Sequence, residues 1–543
     1  MSAAGCISSL ERPALLDRLE QEVFDVVVIG GGITGAGVAR EAALRGLRVA
    51  LLEAHDFAAG TSSRSSKLIH GGLRYLAMGD VALVRKAALE RKQVFRLAPH
   101  LAERRWMVFP ARSYFGLVKM RAGITTYEKL GEVAAEDRHR NWNREALEQE
   151  EPLLNRKRYK YACAYREYLT DDARLVLANL RDAARHGALA INYAAVDRIL
   201  VEAGRACGVE AECRESGRRL RVRAHCIINA AGPWVEAVQR LEEPAARPFL
   251  HLSKGIHFAF PAKRAPLRNM LALNTDDGRI VFVIPRGSVV YVGTTDTTYT
   301  RGSQLWPEVT REDVEYLLAP LHRDLNVAPL RPEEITSAWA GLRPLIAEPG
   351  KRPSDLSRRD EILIGPAKVV TIAGGKLTGY RPMAKAALDK VAQLFELELG
   401  PPHREEPPLP GGDFAGEIPG LSRSLSRDYG LPPACSERLA RSYGSEAGEV
   451  LKGGQAPLVE GGCILRGEVT WAVEVEGALT LEDLLYRRVR TALFDPDFRE
   501  ALVEPAADEM AKLLSWAAAR RQQEVEQVRA RLRSDLSFLS ETG

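Results

Sequence analysis

Residues 25–53 read DVVVIGGGITGAGVAREAALRGLRVALLE, and this stretch decides the fold. The β-branched run at 26–29 has the composition of a strand buried on both faces of a parallel sheet. Gly30, Gly32 and Gly35 follow as G-x-G-x-x-G, and an apolar helical stretch then leads to a second apolar strand at 49–52. This order of strand, glycines, helix and strand predicts a doubly wound α/β domain.

Each part of this stretch has a role in holding a dinucleotide. Gly30 allows the tight turn, Gly32 lets the backbone approach a pyrophosphate, and Gly35 lets the helix lie close to the sheet. The helix N-terminus favours an anion because its N–H groups are free. Glu53 ends the second strand, where a carboxylate can accept hydrogen bonds from the ribose, and its charge argues against a 2′-phosphate. We therefore expect a Rossmann-type dinucleotide site.

Length and composition narrow the class of protein. At 543 residues the chain is too long for one core, and about two to four domains are expected. A net charge of +4 implies no general attraction to nucleic acid. The seven cysteines are scattered without a C-x-x-C pair, so we expect neither a disulfide framework nor a zinc site, and a reducing cytosol is the natural compartment. No run approaches the roughly 20 apolar residues that a membrane span needs.

Three further segments have the features of ligand-binding turns. Residues 58–76, AAGTSSRSSKLIHGGLRYL, are too rich in Ser, Thr and Gly for a helix or strand, and they predict a loop that returns along the cofactor. Residues 226–234, CIINAAGPW, predict a buried strand with small residues at its carboxyl end, where such sheets bind ligands. Residues 369–381, VVTIAGGKLTGYR, predict another strand, a glycine turn and a helix that begins near Thr378.

The middle of the chain predicts a second, antiparallel sheet with strands at 254–260, 279–285 and 289–295. His257 alternates with Ile256 and Phe258, so its side chain should face the opposite side of that sheet. A lone histidine in a strand is more often structural than catalytic. Arg343 and Lys376 add permanent positive charge.

The last quarter of the chain has a different composition. The proline-rich and glycine-rich residues 401–412, PPHREEPPLPGG, predict a linker, and residues 413–543 read as helical. The stretch 507–539 places apolar residues near one face of a helix and arginines on the other, which favours packing on its own domain or on a partner subunit over attachment to a membrane surface.

Seven motifs together resemble the family of FAD-dependent glycerol-3-phosphate dehydrogenases. They are GGGITG, SSKLIHGGLRYL at 65–76, DDARLVLAN at 171–179, NAAGPW at 229–234, GTTDT at 293–297, GLRPL at 341–345 and GGKLTGYR at 374–381. The resemblance implies FAD as cofactor and sn-glycerol 3-phosphate as substrate. It also implies an α/β fold with a Rossmann-type FAD-binding domain of the glutathione-reductase and D-amino-acid-oxidase-like kind, an antiparallel-sheet substrate domain and an α-helical C-terminal domain.

These features predict a discontinuous arrangement of domains. We expect the FAD-binding domain at 1–110, 171–250 and 336–398, and the substrate-binding or cap domain at 111–170 and 251–335. A linker at 399–412 then leads to the helical C-terminal domain at 413–543.

The resemblance assigns roles to residues of both domains, and it implies no metal. The residues that it implies for FAD are Gly30, Gly32, Gly35, Glu53, Thr61, Ser62, Ser66, Lys67, Leu68, Gly232, Gly374, Gly375, Lys376 and Leu377. Those that it implies for the substrate are Arg74, Tyr75, His257, Arg343, Arg358, Lys376 and Thr378, with Arg359 as an alternative to Arg358.

The implied reaction is oxidation of sn-glycerol 3-phosphate to dihydroxyacetone phosphate, with hydride transfer from C2 to the flavin N5. Arginines suit the phosphate dianion. A neutral His257 can accept the proton of the C2 hydroxyl, and Arg343 can stabilise the negative charge that develops. We therefore expect His257, Arg343 and Lys376 to be the catalytic residues, with Lys376 favouring the anionic reduced flavin.

The electron acceptor stays open between two hypotheses. A dehydrogenase passes the electrons to a membrane quinone, which requires peripheral attachment to the inner face of the cytoplasmic membrane by residues 106–120 or by the basic C-terminal helix. An oxidase passes them to dioxygen and makes hydrogen peroxide. We favour the dehydrogenase because the oxidase branch often carries an inserted mid-chain segment, for which 543 residues leave little room. The sequence is compatible with a homodimer and indicates no nucleic-acid partner.

Two other hypotheses are weaker. Oxidation of an amino or 2-hydroxy acid fits the fold, but the arginines suit a phosphate. A flavin-binding structural or sensory protein would leave the polar residues without a chemical role.

Overall fold

The computed structural model describes residues 5–70, 81–347, 360–403, 405–414 and 416–540. Within these ranges the chain forms two sheets and a helical C-terminal region. The α-helices are Arg12–Gln21, Ile33–Leu44, Val81–Leu97, Tyr114–Leu130, Arg144–Glu150, Asp172–Arg185, Val235–Glu242, Arg311–Asp324, Tyr380–Phe395, Ile418–Tyr429, Pro433–Tyr443, Ala447–Lys452, Arg466–Glu474, Thr491–Phe494, Val503–Leu514 and Ala518–Ser534.

The first sheet contains the glycine-rich stretch. Its order in the described ranges is Asp360–Ile364, Val370–Gly374, Arg219–Asn229, Val23–Ile29, Val49–Leu52 and Leu189–Ile191, and the hairpin of Ala194–Glu202 and Arg205–Cys213 joins it at Arg219–Asn229. The strands from Val370–Gly374 to Leu189–Ile191 are parallel. Because Val26, Val27 and Val28 are fully buried, this strand is covered on both faces, as its β-branched composition predicts. The predicted doubly wound fold is confirmed.

The second sheet is mostly antiparallel, as the sequence predicts. Its order in the described ranges is Thr297–Thr298, Leu250–Pro261, Val289–Gly293, Ile280–Arg286, Met270–Asn274, Ala102–Ala111, Tyr161–Thr170 and Leu68–Ile69; Ser337–Ile346 also pairs with Leu250–Pro261, and Arg140–Trp142 with Tyr161–Thr170. The strands Ala102–Ala111 and Ser337–Ile346 thus pair in this sheet, although the predicted domain division groups most of their residues with the cofactor domain. The domain boundaries stay a prediction.

The helical C-terminal region packs on the second sheet. Met510, Val525, Val528 and Leu532 are buried in one core together with Tyr291 of that sheet. The apolar stripe at 507–539 therefore packs against its own chain, as the sequence favours. Across the described ranges, every helix is too short or too polar to cross a membrane.

The sequence predicts no disulfide framework, and the structure departs from that expectation at one pair of cysteines. Cys435 and Cys463 are joined by a disulfide, with their Cα atoms 4.9 Å apart. The pair links the helix Pro433–Tyr443 to the segment before Arg466–Glu474. Because 28 residues separate the two cysteines in sequence, only the packing of the helices reveals their proximity.

Candidate active site

The glycine turn at 30–35 leaves no room for side chains at two positions. Gly30 has a φ of +109°, and a Cβ there would lie 2.7 Å from the carbonyl oxygen of Ala230. A Cβ on Gly35 would lie 1.9 Å from the carbonyl oxygen of Gly30, so only glycine lets the helix Ile33–Leu44 approach the strand so closely. The turn thus delivers the N-terminus of this helix to the carboxyl edge of the sheet, as predicted.

Glu53 lies at the same edge, directly after Val49–Leu52. Its carboxylate accepts hydrogen bonds from the backbone N–H of Gly31 at 2.6 Å and of His55 at 2.8 Å. Burial raises the pKa of Glu53, and these two hydrogen bonds oppose that effect. The carboxylate is therefore held in a fixed orientation beside the glycine turn.

A cavity of about 650 Å³ begins at this turn and extends between the two sheets. Such a volume is typical of a cofactor or small-molecule site. Most of the predicted cofactor residues line it, namely Gly30, Gly32, Glu53, Thr61, Ser62, Ser66, Leu68, Gly232, Gly374, Gly375, Lys376 and Leu377. His257 and Arg343 line the same cavity. The structure therefore brings the predicted cofactor and catalytic residues together.

The return loop, residues 54–67, forms one wall of the cavity. The Ser62 hydroxyl accepts a hydrogen bond from the backbone N–H of Ile33 at 3.0 Å, which joins the loop to the helix N-terminus. The Thr61 hydroxyl donates to the carbonyl oxygen of Leu342 at 2.6 Å, which joins it to the second sheet. The predicted loop along the cofactor is thus held by the helix Ile33–Leu44 and by the second sheet.

The side chain of Lys67 lies behind this wall rather than in the cavity. Lys67 has a φ of +56°, a conformation that is rare for residues other than glycine. Its Nζ donates to the carbonyl oxygen of Ser63 at 2.9 Å and to Asp172 at 3.2 Å, and the side chain is fully buried. Only its backbone is left for the predicted cofactor contact.

Lys67 belongs to a group of buried charges that we call the ion cluster. Its members are Lys67, Asp171, Asp172, Arg286 and Arg490. Burial raises the pKa of Asp172, but Lys67 and Arg490 outweigh burial and hold it below its ordinary value. Burial lowers the pKa of Lys67 to about 7, against the opposing attraction of Asp172. The carboxylates of the cluster are therefore ionised at neutral pH.

His257 lies on Leu250–Pro261 with its ring turned into the cavity. The ring stacks on Trp339 at 5.2 Å between centroids, and Nε2 lies 2.8 Å from the Ser66 hydroxyl. Gly293 on the neighbouring strand makes room for it, since a Cβ there would lie 1.9 Å from Cδ2 of His257. Burial, with Lys67 and Arg343, holds the pKa of His257 well below its ordinary value, so the ring is neutral and able to accept a proton.

Arg343 lies on the adjacent strand Ser337–Ile346. Its Nη2 donates to the Thr294 hydroxyl at 2.9 Å, and its Nη1 donates to the carbonyl oxygen of Thr295 at 3.1 Å. The guanidinium occupies space beside Gly255, where a Cβ would lie 2.2 Å from Nη2. A fixed cation therefore faces the same cavity as the neutral His257.

A second glycine turn closes the far side of the cavity. Gly374 and Gly375 have φ values of +74° and +89°, and a Cβ on Gly375 would lie 2.4 Å from the sulfur of Met383. The turn leads into the helix Tyr380–Phe395, which begins two residues after the predicted Thr378. Thr378 does not line the cavity; it is buried, and its hydroxyl donates to the carbonyl oxygen of His70 at 3.1 Å.

Four predicted substrate residues cannot be placed. Arg74, Tyr75, Arg358 and Arg359 lie outside the described residues.

Sequence reasoning missed three residues around His257 and Arg343. Trp339 stacks on His257, Thr294 binds Arg343, and Arg64 borders the cavity with its guanidinium 3.7 Å from the centroid of Trp306. The register that places His257 opposite Trp339 and Gly293 would have identified the first two. That register depends on pairing between distant strands, which local patterns do not report.

Comparisons with known proteins show which families the chain resembles. Residues 25–379 match the family model described as FAD dependent oxidoreductase, and residues 404–521 match that of the C-terminal domain of alpha-glycerophosphate oxidase. The chain is 37% identical over 525 residues to an aerobic glycerol-3-phosphate dehydrogenase of Bacillus subtilis, with 94% of each chain covered. It is 36% identical over 531 residues to one of Staphylococcus haemolyticus, also with 94% of each covered.

Solved structures agree as well. The glycerol-3-phosphate dehydrogenase of Bacillus halodurans, solved in complex with FAD, matches with a TM-score of 0.82 and 31% identity over 99% of this chain and 100% of that one. An L-alpha-glycerophosphate oxidase of Mycoplasma pneumoniae with FAD bound matches with a TM-score of 0.55 and 18% identity over 71% of this chain and 98% of that one, which indicates a shared fold only.

Proposed function

The chain belongs to the FAD-dependent glycerol-3-phosphate dehydrogenase family, and from this premise we propose that it oxidises sn-glycerol 3-phosphate to dihydroxyacetone phosphate and passes the electrons to a membrane quinone. The observation that carries the proposal is the pairing of a neutral, buried His257 with the fixed cation of Arg343 at one end of a dinucleotide-sized cavity. An alcohol that loses hydride and proton together needs such a base and such a cation.

The residues present fit FAD. Gly30 and Gly32 would hold its pyrophosphate at the helix N-terminus, and Glu53 would accept hydrogen bonds from the adenosine ribose. Gly374 and Gly375 would let the backbone approach the flavin ring from the other side of the cavity. When bound, FAD supplies the acceptor for the hydride that leaves C2 of the substrate.

His257 acts as the general base. Its neutral ring accepts the proton of the C2 hydroxyl, and Ser66 and Trp339 hold the ring in one orientation while it does so. Because His257 is only 2% exposed, a bound substrate would displace the remaining water beside the ring.

Arg343 stabilises the negative charge that develops on the C2 oxygen. Thr294 and Thr295 fix its guanidinium before the substrate arrives, so little reorganisation is needed during the reaction. By the family resemblance, Arg74, Tyr75, Arg358 and Lys376 complete the substrate site, and Thr378 supports it from behind through the carbonyl oxygen of His70. The three cations among these residues, Arg74, Arg358 and Lys376, suit a phosphate dianion.

Delivery of electrons to a quinone requires contact with a membrane surface, and the segment 106–120 supports this. Tyr114 and Phe115 are 63% and 78% exposed at the start of the helix Tyr114–Leu130, beside the exposed cations Arg112 and Lys119. Aromatic side chains next to cations favour the interface of an anionic bilayer. The basic helix Ala518–Ser534 offers no comparable surface, because its apolar residues are buried in the protein core.

The reaction is tested by adding sn-glycerol 3-phosphate to the yellow holoenzyme without oxygen and then offering a soluble quinone analogue or dioxygen. The proposal predicts bleaching of the flavin, fast reoxidation by the quinone and slow reoxidation by dioxygen. Fast reoxidation by dioxygen with formation of hydrogen peroxide would instead identify an oxidase. Glycerol serves as the control substrate, since it has the same reacting carbon and no phosphate.

Membrane attachment is tested by sedimentation with anionic and neutral vesicles. Replacement of Tyr114 and Phe115 by serine should abolish binding to anionic vesicles and leave flavin reduction by the substrate unchanged. Val201→Ser is a matched control, because Val201 is 47% exposed on a strand of the first sheet. Equal vesicle binding by the wild type and the double variant would contradict the proposed surface.

A further inference from the structure

One segment of the C-terminal region, residues 483–490, holds the return loop near both of its ends. The first attachment is at Asp56, two residues into the loop. Arg488 donates from Nη1 and Nη2 to the two carboxylate oxygens of Asp56 at 2.6 and 2.8 Å, and Arg487 binds the same carboxylate. All three side chains are almost fully buried. A bidentate ion pair in a buried site fixes the position of both partners.

The second attachment is at Ser63, near the end of the loop that faces His257, where Arg490 binds. Nη2 of Arg490 donates to the carbonyl oxygen of Ser63 at 2.9 Å, and Nη1 donates to Asp171 and Asp172, both at 3.0 Å. Arg490 has a φ of +64°, in the left-handed region of the backbone. A residue other than glycine keeps this conformation only when its surroundings hold it. Neither Arg490 nor the residues next to it in sequence line the cavity, so a description of the cavity walls alone does not reveal a role for Arg490.

Hydrogen bonds and one peptide link connect Arg490 to His257. The Asp172 carboxylate that Arg490 binds also accepts from the backbone N–H of Ser65 at 3.1 Å and from its hydroxyl at 2.7 Å. The next residue, Ser66, places its hydroxyl 2.8 Å from Nε2 of His257. Lys67 also donates to the carbonyl oxygen of Ser63 at 2.9 Å, and the Tyr291 hydroxyl donates to that of Ser66 at 2.9 Å. Arg490 and Asp172 are therefore among the contacts that fix where the Ser66 hydroxyl meets the ring.

We propose that Arg490 is a positioning residue for the oxidation, acting through Ser63, Asp172 and Ser66 on the orientation of the His257 ring. This inference rests on the proposed role of His257 as the base. It gives the helical C-terminal region a part in catalysis, because that region supplies the cation that sets the loop. Arg490 touches neither the substrate nor the cofactor position, so its effect is on the rate of the chemical step rather than on binding.

A double-mutant cycle with Arg490→Met and Ser66→Ala tests the proposal. The measured quantities are the rate of anaerobic flavin reduction at saturating sn-glycerol 3-phosphate and the apparent Kd of the substrate. Each single variant should reduce flavin about tenfold more slowly with little change in that Kd. Both changes remove the same effect, the orientation of the His257 ring by Ser66. The double variant should therefore be no slower than the slower single variant.

Two further variants separate positioning from folding. Arg529→Met removes an arginine of the same region that binds Glu500 and Glu504 at the surface, and it should behave as the wild type. Arg490→Lys keeps a positive charge near Asp171 and Asp172 but cannot also reach Ser63, so it should recover part of the lost rate. If Arg490→Met fails to retain FAD, Arg490→Lys takes its place in the cycle.

Effects of Arg490→Met and Ser66→Ala that multiply in the double variant would overturn the inference, as would a wild-type rate in Arg490→Met. In both cases bleaching of the wild-type flavin leaves the proposed function intact. A wild-type enzyme that the substrate does not bleach would overturn the proposed function, and this inference with it.

Discussion

Burial has opposite effects on the two sides of the return loop. On the cavity side, His257 is buried beside the cations Lys67 and Arg343, and its pKa falls so far below the ordinary value that the ring is neutral. Behind the loop, Asp171 and Asp172 are also buried, but Lys67, Arg286 and Arg490 surround them and they stay ionised. Burial beside like charges thus sets the protonation state of His257, whereas burial beside opposite charges holds Asp171 and Asp172 in fixed positions.

The largest expected effect comes from the cavity side. His257→Gln keeps a polar side chain but cannot accept a proton at neutral pH. We expect the rate of flavin reduction by sn-glycerol 3-phosphate to fall by about 10²–10⁴-fold, as stopped-flow absorbance would measure. FAD binding should be retained, since the glycine turn and Glu53, which would hold the ADP part of the cofactor, are unchanged. A loss of less than about tenfold would show that another group takes the proton.

Arg343→Met should have the next largest effect. It removes the cation that faces the developing charge, and we expect flavin reduction to slow by about 10²–10³-fold. Arg343→Lys should be intermediate, because lysine keeps the charge and loses the paired contacts with Thr294 and Thr295. Retained activity in Arg343→Ala with a preference for substrates without phosphate would point to oxidation of an amino or 2-hydroxy acid.

A substitution in the ion cluster should lower the stability of the protein rather than change the protonation state of His257. Asp172→Asn leaves Lys67 and Arg490 with one carboxylate fewer in a buried site, and we expect the free energy of unfolding to fall by about 3–5 kcal/mol. Asp197→Asn is the matched control, since the Asp197–Arg219 pair is exposed to solvent and its loss should leave the stability nearly unchanged. Urea unfolding of the FAD-loaded protein would measure both. Equal stability of the two variants would contradict the claim that the buried ion cluster stabilises the protein more than the exposed Asp197–Arg219 pair does.

The smallest expected effect is that of pH on the reaction rate. An ordinary histidine base gains a proton, and loses its function, as the pH falls through 6.5. Burial lowers the pKa of Lys67 to about 7, so this neighbouring lysine is mostly protonated below pH 6.5. Because burial holds the pKa of His257 well below its ordinary value, the rate of flavin reduction at saturating substrate should stay nearly constant between about pH 6.5 and pH 5.5. A rate that falls steeply over this range would show that the ring is solvated in the working enzyme.

The comparison also explains what the sequence could and could not predict. The glycine turn and Glu53 are encoded within 29 residues, so the cofactor end of the site follows from local pattern. The face on which His257 lies follows from strand alternation, and the structure places its ring in the cavity as expected. The family resemblance, carried by motifs over much of the chain, supplied the cofactor and the substrate class.

The parts that the sequence could not predict depend on distant contacts. The direction of the Lys67 side chain follows from a left-handed backbone conformation that no local pattern indicates. The Arg490–Asp172 pair joins residues 318 positions apart, and the Ser66–His257 contact joins residues 191 apart. The disulfide between Cys435 and Cys463 was missed for the same reason. Such contacts require the assembled packing of both sheets and the C-terminal helices.

The most direct test of the central claim is anaerobic stopped-flow reduction of the FAD-loaded enzyme by sn-glycerol 3-phosphate and by the same substrate deuterated at C2. We predict that both bleach the flavin and that deuterium at C2 slows the bleaching at saturating concentration, because the C2–H bond breaks as the flavin is reduced. A flavin that neither substrate bleaches would contradict the account, and so would bleaching that is slowed by deuterium at C1 and not at C2.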